Sequence, residues 1–303
     1  MNLTVLLGLL TAVSYGAADF FAAIASRRIK VVVVTAAASF SGLMLLLLLS
    51  PFMGASFSAD TFFWGFTAGL FSVVALLALY ASLAIGPISI VSPLGALVSA
   101  IVPALIGVGF LGENFNALGW LAIAIALLAV VLVGFIPGEH VEKPKLKALL
   151  LAILAGSAIG LAVSSLAQSP HDSGIGPIIL MRATAAIGLT IIATVVFFRK
   201  RSLVAEAFYS DQSSNSASAS TPSKLDVKIW LTVAMAGFLD AAANILFTLA
   251  SRTGSLTVVG VLTALYPLGT ILLARIILKE HVARIQQVGI ALTLVASTLL
   301  AVA

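Results

Sequence analysis

Apolar runs of about 20 residues recur along the whole chain, and a helix of that length crosses a hydrocarbon core roughly 30 Å thick. Ten such runs can be counted: Leu3–Ala25, Val31–Ser50, Thr61–Ala84, Ile88–Leu111, Ala117–Ile136, Ala148–Gln168, Gly174–Phe198, Ile229–Ser251, Ser255–Leu278 and Ile285–Ala303. Five precede the polar loop Pro137–Lys147 and five follow it. Of the 303 residues, 61% are hydrophobic and 9% charged, whereas a soluble domain carries about 25% charge. The short alternating segments of a membrane barrel are missing. The expected fold class is an all-α integral membrane protein with ten transmembrane helices. The first 25 residues are apolar without a basic leader, so they read as a first span and not as a cleaved signal.

The net charge of +5 would suit a nucleic-acid partner if it were clustered, but it is not. Fourteen of the 16 Lys and Arg fall in or beside the odd-numbered loops, with only Arg252 in the even-numbered ones and Arg182 inside a span. Charge in short loops sets membrane orientation. It predicts odd loops in the cytoplasm and both termini on the non-cytoplasmic side, with no nucleic-acid partner. Ser202–Lys228 holds the low-complexity run Asp-Gln-Ser-Ser-Asn-Ser-Ala-Ser and is expected to be a flexible polar linker.

The stretch Ile229–Glu280 organises the second half. Two spans are joined by a tight Ser-Arg-Thr-Gly-Ser turn, with Asp240 inside the first and Tyr266-Pro267 inside the second. A weaker copy lies earlier: Gly86 to Leu97 reads against Gly254 to Leu265, and Leu111-Gly112-Glu113 against Leu278-Lys279-Glu280. A duplicated unit of five spans must return upside down. Residues 1–137 and 138–303 are therefore expected to be two inverted five-helix repeats around a central cavity. Inverted repeats are the mark of secondary transporters, which rock one half against the other.

Tyr15-Gly16-Ala17-Ala18-Asp19-Phe20 in the first span, Leu111-Gly112-Glu113 after the fourth, the Pro267 to Lys279-Glu280 stretch in the ninth and Gly289 in the tenth resemble the EamA-type transporters of the drug/metabolite transporter superfamily. The resemblance runs over nearly the whole chain as two EamA units. It implies a ten-helix basket that exports small metabolites or amino acids across the cytoplasmic (inner) membrane. The first half departs from the pattern, with Ala100 where a proline is expected and Pro103 three residues on.

Acids inside spans cost roughly 2.5–3.5 kcal/mol at mid-helix on insertion scales, so they usually face the protein interior or a water-filled cavity. Asp240 and Asp19 are the two here, with Asn244 one turn from Asp240 on the same helical face. Either acid could serve proton-coupled exchange, or be a structural acid satisfied by Arg182 or by neighbouring hydroxyls. Arg182 could bind a substrate carboxylate, pair with an intramembrane acid or snorkel. Pro93 and Pro103, with Ser92 beside the former, and Pro267 in the ninth span mark helices that proline can kink to wall a midplane site or merely to pack. Tyr15, Tyr80, Phe247 and Tyr266 could line that cavity.

Other chemistry finds little support. Gly107 to Gly112 spells G-x-G-x-x-G, but inside a membrane helix, where it serves helix packing and not a dinucleotide. Gly156 and Gly160 read the same way. No Walker lysine loop, no cysteine and no metal-ligand spacing among the histidines is present, so no cofactor, metal or catalytic residue is expected. The function expected is a secondary carrier for a small organic molecule, such as an amino acid or amphipathic compound, working as a monomer in the lipid bilayer, with protons as candidate coupling ions. The alternatives are an intramembrane lipid- or polyprenyl-processing enzyme and a non-transporting membrane receptor or assembly protein.

Overall fold

The structure, a computed structural model, describes residues 3–26, 28, 31–85, 88–134, 145–199, 227–277 and 283–302. They form eleven α-helices and one 3₁₀ turn: α1 Leu3–Ser26, α2 Val31–Met53, α3 Ala59–Ile85, α4 Ile88–Phe110, α5 Ala117–Gly134, α6 Leu146–Ala167, the turn His171–Ser173, α7 Gly176–Arg199, α8 Val227–Thr253, α9 Leu256–Thr263, α10 Pro267–Ile277 and α11 Arg284–Val302. Among the described residues there is no strand, only an isolated bridge between Ala55 and Gly174. Residues 200–226, which make up nearly all of the expected linker, lie outside the described residues, as do Lys279 and Glu280. The last two positions of that linker, Val227 and Lys228, already belong to α8.

The helices follow the apolar runs closely because membrane thickness sets both. Six spans are long and apolar enough to cross a bilayer, and four shorter apolar helices accompany them, counted over the described residues. The ninth run forms two helices in place of one. Pro267 has no N–H to give the Thr263 carbonyl, and Tyr266 N–H takes that acceptor at 3.0 Å. Leu268 and Gly269 bond three residues back in the same way, at 2.9 and 3.0 Å, so the chain tightens through Ala264–Tyr266 before α10 begins. By contrast α4 runs unbroken through Pro93 and Pro103.

Packing relies on small residues. The largest core cluster joins α1, α4, α5, α9 and α11 through Ala12, Ala96, Ala100, Ala122, Ala126 and Ala129 around Leu262 and Leu265. Small side chains let helix backbones approach in a medium that gives no hydrophobic drive between helices. A second core joins α2, α3, α6, α7 and α8 around Leu46 and Ile178. Phe52 and Phe110 are 84% and 85% exposed, a surface that only lipid can cover without cost.

The neighbour relations are regular. α3 packs on α6 and α7, and α8 packs on α1 and α2; α4 lies on α6, and α9 with α10 lies on α1; α4 meets α9, and α5 meets α11.

Candidate functional site

Tyr15, Asp19, Arg182, Asp240 and Asn244 collect where α1, α7 and α8 meet, with Tyr266 at the α9–α10 break. α8 supplies Asp240 and Asn244 one turn apart, so both point the same way. The Asp240 carboxylate forms an ion pair with the Arg182 guanidinium of α7, their side chains 28% and 13% exposed. The Asn244 amide donates to the Asp240 backbone carbonyl at 2.7 Å, which fixes its orientation. Its Oδ1 then accepts the Tyr15 hydroxyl of α1 at 2.9 Å. One chain of contacts thus links α7, α8 and α1.

Asp19 lies one turn beyond Tyr15 on α1. It is exposed and lies on the same face of α1 as Tyr15. Tyr15 stands within electrostatic reach of both Arg182 and Asp19, and Tyr266 within reach of Asp19. Tyr266 is held at the break before α10, where α1 crosses it closely. The Thr270 hydroxyl donates to the Gly16 carbonyl at 2.9 Å. A Cβ on Gly16 would stand 2.7 Å from Gly269 Cα and from Thr270 N and would strike the Tyr266 carbonyl, so this crossing requires glycine.

Six of the expected cavity residues therefore come together: Asp19, Tyr15, Arg182, Asp240, Asn244 and Tyr266. Phe247 is fully buried in core. Pro103 packs against Gly260 of α9 and Gly160 of α6. The side chains of Tyr80, Ser92 and Pro93 lie outside the described residues. Among those described, no three His, Cys, Asp or Glu gather to hold a metal.

The sequence marked Glu113 as part of the repeat and of the family resemblance, yet it also forms a built contact. Its carboxylate accepts the Ser255 hydroxyl at 2.7 Å, the Leu256 amide at 2.6 Å and the Thr257 amide at 3.0 Å. Those amides have no partner within the helix at the N-terminus of α9, where negative charge is favoured. Gly112, at φ +69°, turns the chain past the end of α4 so that Glu113 can reach back. Gly107 leaves the space, since a Cβ there would meet the Glu113 carboxylate and the Thr257 hydroxyl.

The loops at this end are joined further. Ile175 N–H donates to the Gly54 carbonyl at 3.0 Å, and Ser56 N–H to the Ser173 carbonyl at 3.2 Å. Arg252 donates to the Pro170 and Gly174 carbonyls, both at 3.2 Å. The Thr4 and Thr253 hydroxyls share a 3.2 Å hydrogen bond. The only Arg of the even-numbered loops is thus a clamp between two of them.

Residues 2–135 match the model of the EamA-like transporter family. A search of curated proteins finds no sequence match. Among solved structures, one crystal structure of a protein superposes with a TM-score of 0.73 over 98% of this chain and 95% of its own, at 14% identity, a likeness of fold alone. The chain is a multi-pass membrane protein. Its first five spans, residues 2–135, belong to the EamA-like transporter family, within the drug/metabolite transporter superfamily.

Proposed function

We propose that the chain is a secondary carrier that moves a small organic metabolite, such as an amino acid or an amphipathic compound, outward by alternating access. The observation that carries this reading is the polar chain Arg182–Asp240–Asn244–Tyr15, held among apolar helices beside the break between α9 and α10. Polar groups at that depth are costly unless they serve a pathway or a fold contact. Their partial exposure, with Asp19 open on the same wall, favours a pathway.

Two inverted repeats, 1–137 and 138–303, fit the neighbour relations. Exchanging each span with the one five positions away turns α3 on α6 into α8 on α1, and α4 on α6 into α9–α10 on α1. The pairs α4 with α9 and α5 with α11 map onto themselves. A pseudo-two-fold axis in the membrane plane has these properties. The halves differ in chemistry, since the helix break sits in the second half alone among the described residues. We take the protein to be a monomer of the inner membrane with both termini non-cytoplasmic. A single cysteine introduced at Asn114 should then react with an impermeant maleimide in intact cells, against a background free of native cysteine. Labelling only after lysis would reverse the orientation.

The decisive experiment is counterflow in proteoliposomes with labelled amino acids and amphipathic drugs, with and without an imposed pH gradient. Protein-dependent exchange of any of them is expected. Accumulation that follows the gradient would make protons the coupling ion, whereas exchange indifferent to it would mark a facilitator or exchanger. Absence of flux across the whole panel would reject the carrier reading.

A further inference from the structure

The charges of the central site do not balance. Arg182 is engaged by Asp240, and its side chain is only 13% exposed. Its positive charge is therefore cancelled within the protein and presented only weakly to a ligand. Asp19 has no such partner: among the described residues no salt bridge or hydrogen bond engages its carboxylate, and the residue is exposed. The other described basic residues sit at span ends or in loops, as Arg252 and Arg275 do in the last turns of α8 and α10. Two tyrosines stand near Asp19: Tyr15, one turn back on α1, and Tyr266, at the break before α10. Tyr15 has spent its proton on Asn244, so its oxygen turns acceptor lone pairs to any other neighbour. Among the described residues the wall thus presents one carboxylate, phenolic oxygens and aromatic rings, and no free cation.

We propose that the central site selects an organic cation, a molecule with an ammonium or quaternary ammonium group on an apolar body, and seats its positive charge against Asp19 between Tyr15 and Tyr266. This rests on the carrier reading for transport, but the binding preference stands on the site alone. A charge against an unpaired carboxylate in a half-desolvated wall gains far more than in bulk water, and tyrosine faces attract the same charge. An anion would meet Asp19 with nothing free to offset it.

The test is equilibrium binding to the purified full chain, followed by counterflow in proteoliposomes. The probes are phenyltrimethylammonium and benzyltriethylammonium as permanent cations, benzenesulfonate as a permanent anion and phenylalanine as a zwitterion. At least one cation should bind about tenfold or more tightly than benzenesulfonate. Asp19→Asn should remove that preference, and Asp19→Glu should keep most of it, which separates charge from folding. Asp240→Asn releases the Arg182 charge and should shift the preference towards benzenesulfonate. Equal or tighter binding of the anion by the unmodified chain, or an unchanged preference in folded Asp19→Asn, overturns the proposal. Counterflow of phenylalanine or benzenesulfonate in that case would leave the carrier reading intact. Cation binding lost in Asp19→Asn but with no flux of any probe would uphold the cation site and reject the carrier.

Discussion

Tyr15 donates its hydroxyl to Asn244 across 229 positions of sequence, at 2.9 Å. The bond joins α1 to α8 at the level of the ion pair. Tyr15→Phe removes the donor but keeps the ring, so it should cost about 0.5–1.5 kcal/mol of stability. Asn244→Ala should cost a similar amount, and the double variant less than the sum. Thermal unfolding in detergent of the two singles and the double measures this; strictly additive losses would mean that the bond carries no stability.

Asp240 and Arg182 balance each other in charge, so removing one leaves the other as an uncompensated charge. Removing one partner of a fully buried pair costs about 3–5 kcal/mol, and partial exposure here should bring that to roughly 1–3 kcal/mol. Asp240→Asn and Arg182→Gln should each lower the melting temperature, while the combined variant should recover part of the loss. A double variant less stable than both singles would show that the pair is not the reason for either effect.

Glu113 caps α9 from the end of α4, so its loss should loosen the start of α9. Glu113→Ala should cost about 1–3 kcal/mol, and Glu113→Gln less, because one oxygen still accepts. Hydrogen exchange at Leu256 and Thr257 is the local readout, and it should rise in the alanine variant before the rest of the chain does. Unchanged exchange there would remove Glu113 from the account of how α9 is anchored.

Two glycines offer a matched contrast. Gly16→Ala forces a methyl into the backbone of α10 and should cost about 1–3 kcal/mol by overpacking. Gly109→Ala meets nothing within 4 Å and should be neutral or slightly stabilising, since alanine is the better helix former. Melting curves of the two variants side by side test this. Equal behaviour would mean that the α1–α10 crossing yields easily.

The spans were legible because one quantity, the hydrocarbon thickness, fixes the length of every run. Helix ends such as Leu3, Val31, Ile88 and Ala117 fall where the apolar pattern starts. The acids were legible for a related reason: a charge inside such a run is costly and stands out. The pairing of Asp240 with Arg182 stood among the alternatives but could not be chosen from the sequence, since periodicity on one helix says nothing about which helix lies opposite. Glu113 was hidden more deeply. Its partners lie 142 to 144 positions away, and a loop acid near a span end gives no sign of capping a distant helix. Proline at 267 announced a kink, but the full break depends on where Tyr266 and Gly269 find their acceptors, which is a matter of backbone geometry.

All eight residues of α9, Leu256–Thr263, are buried, with Glu113 at one end and the helix break at the other. Such a segment touches no acyl chain. Hydrophobic mismatch acts on helices that face lipid, through tilt and local thinning. Here α2 and α3, with Phe40, Phe52, Phe62 and Phe63 exposed, would take that strain while α9 is insulated from it. Ligand affinity at the central site should therefore change little between bilayers of shorter and longer acyl chains, even where the outer helices reorient. A steep dependence of affinity on acyl length would show that the core senses the membrane through its neighbours.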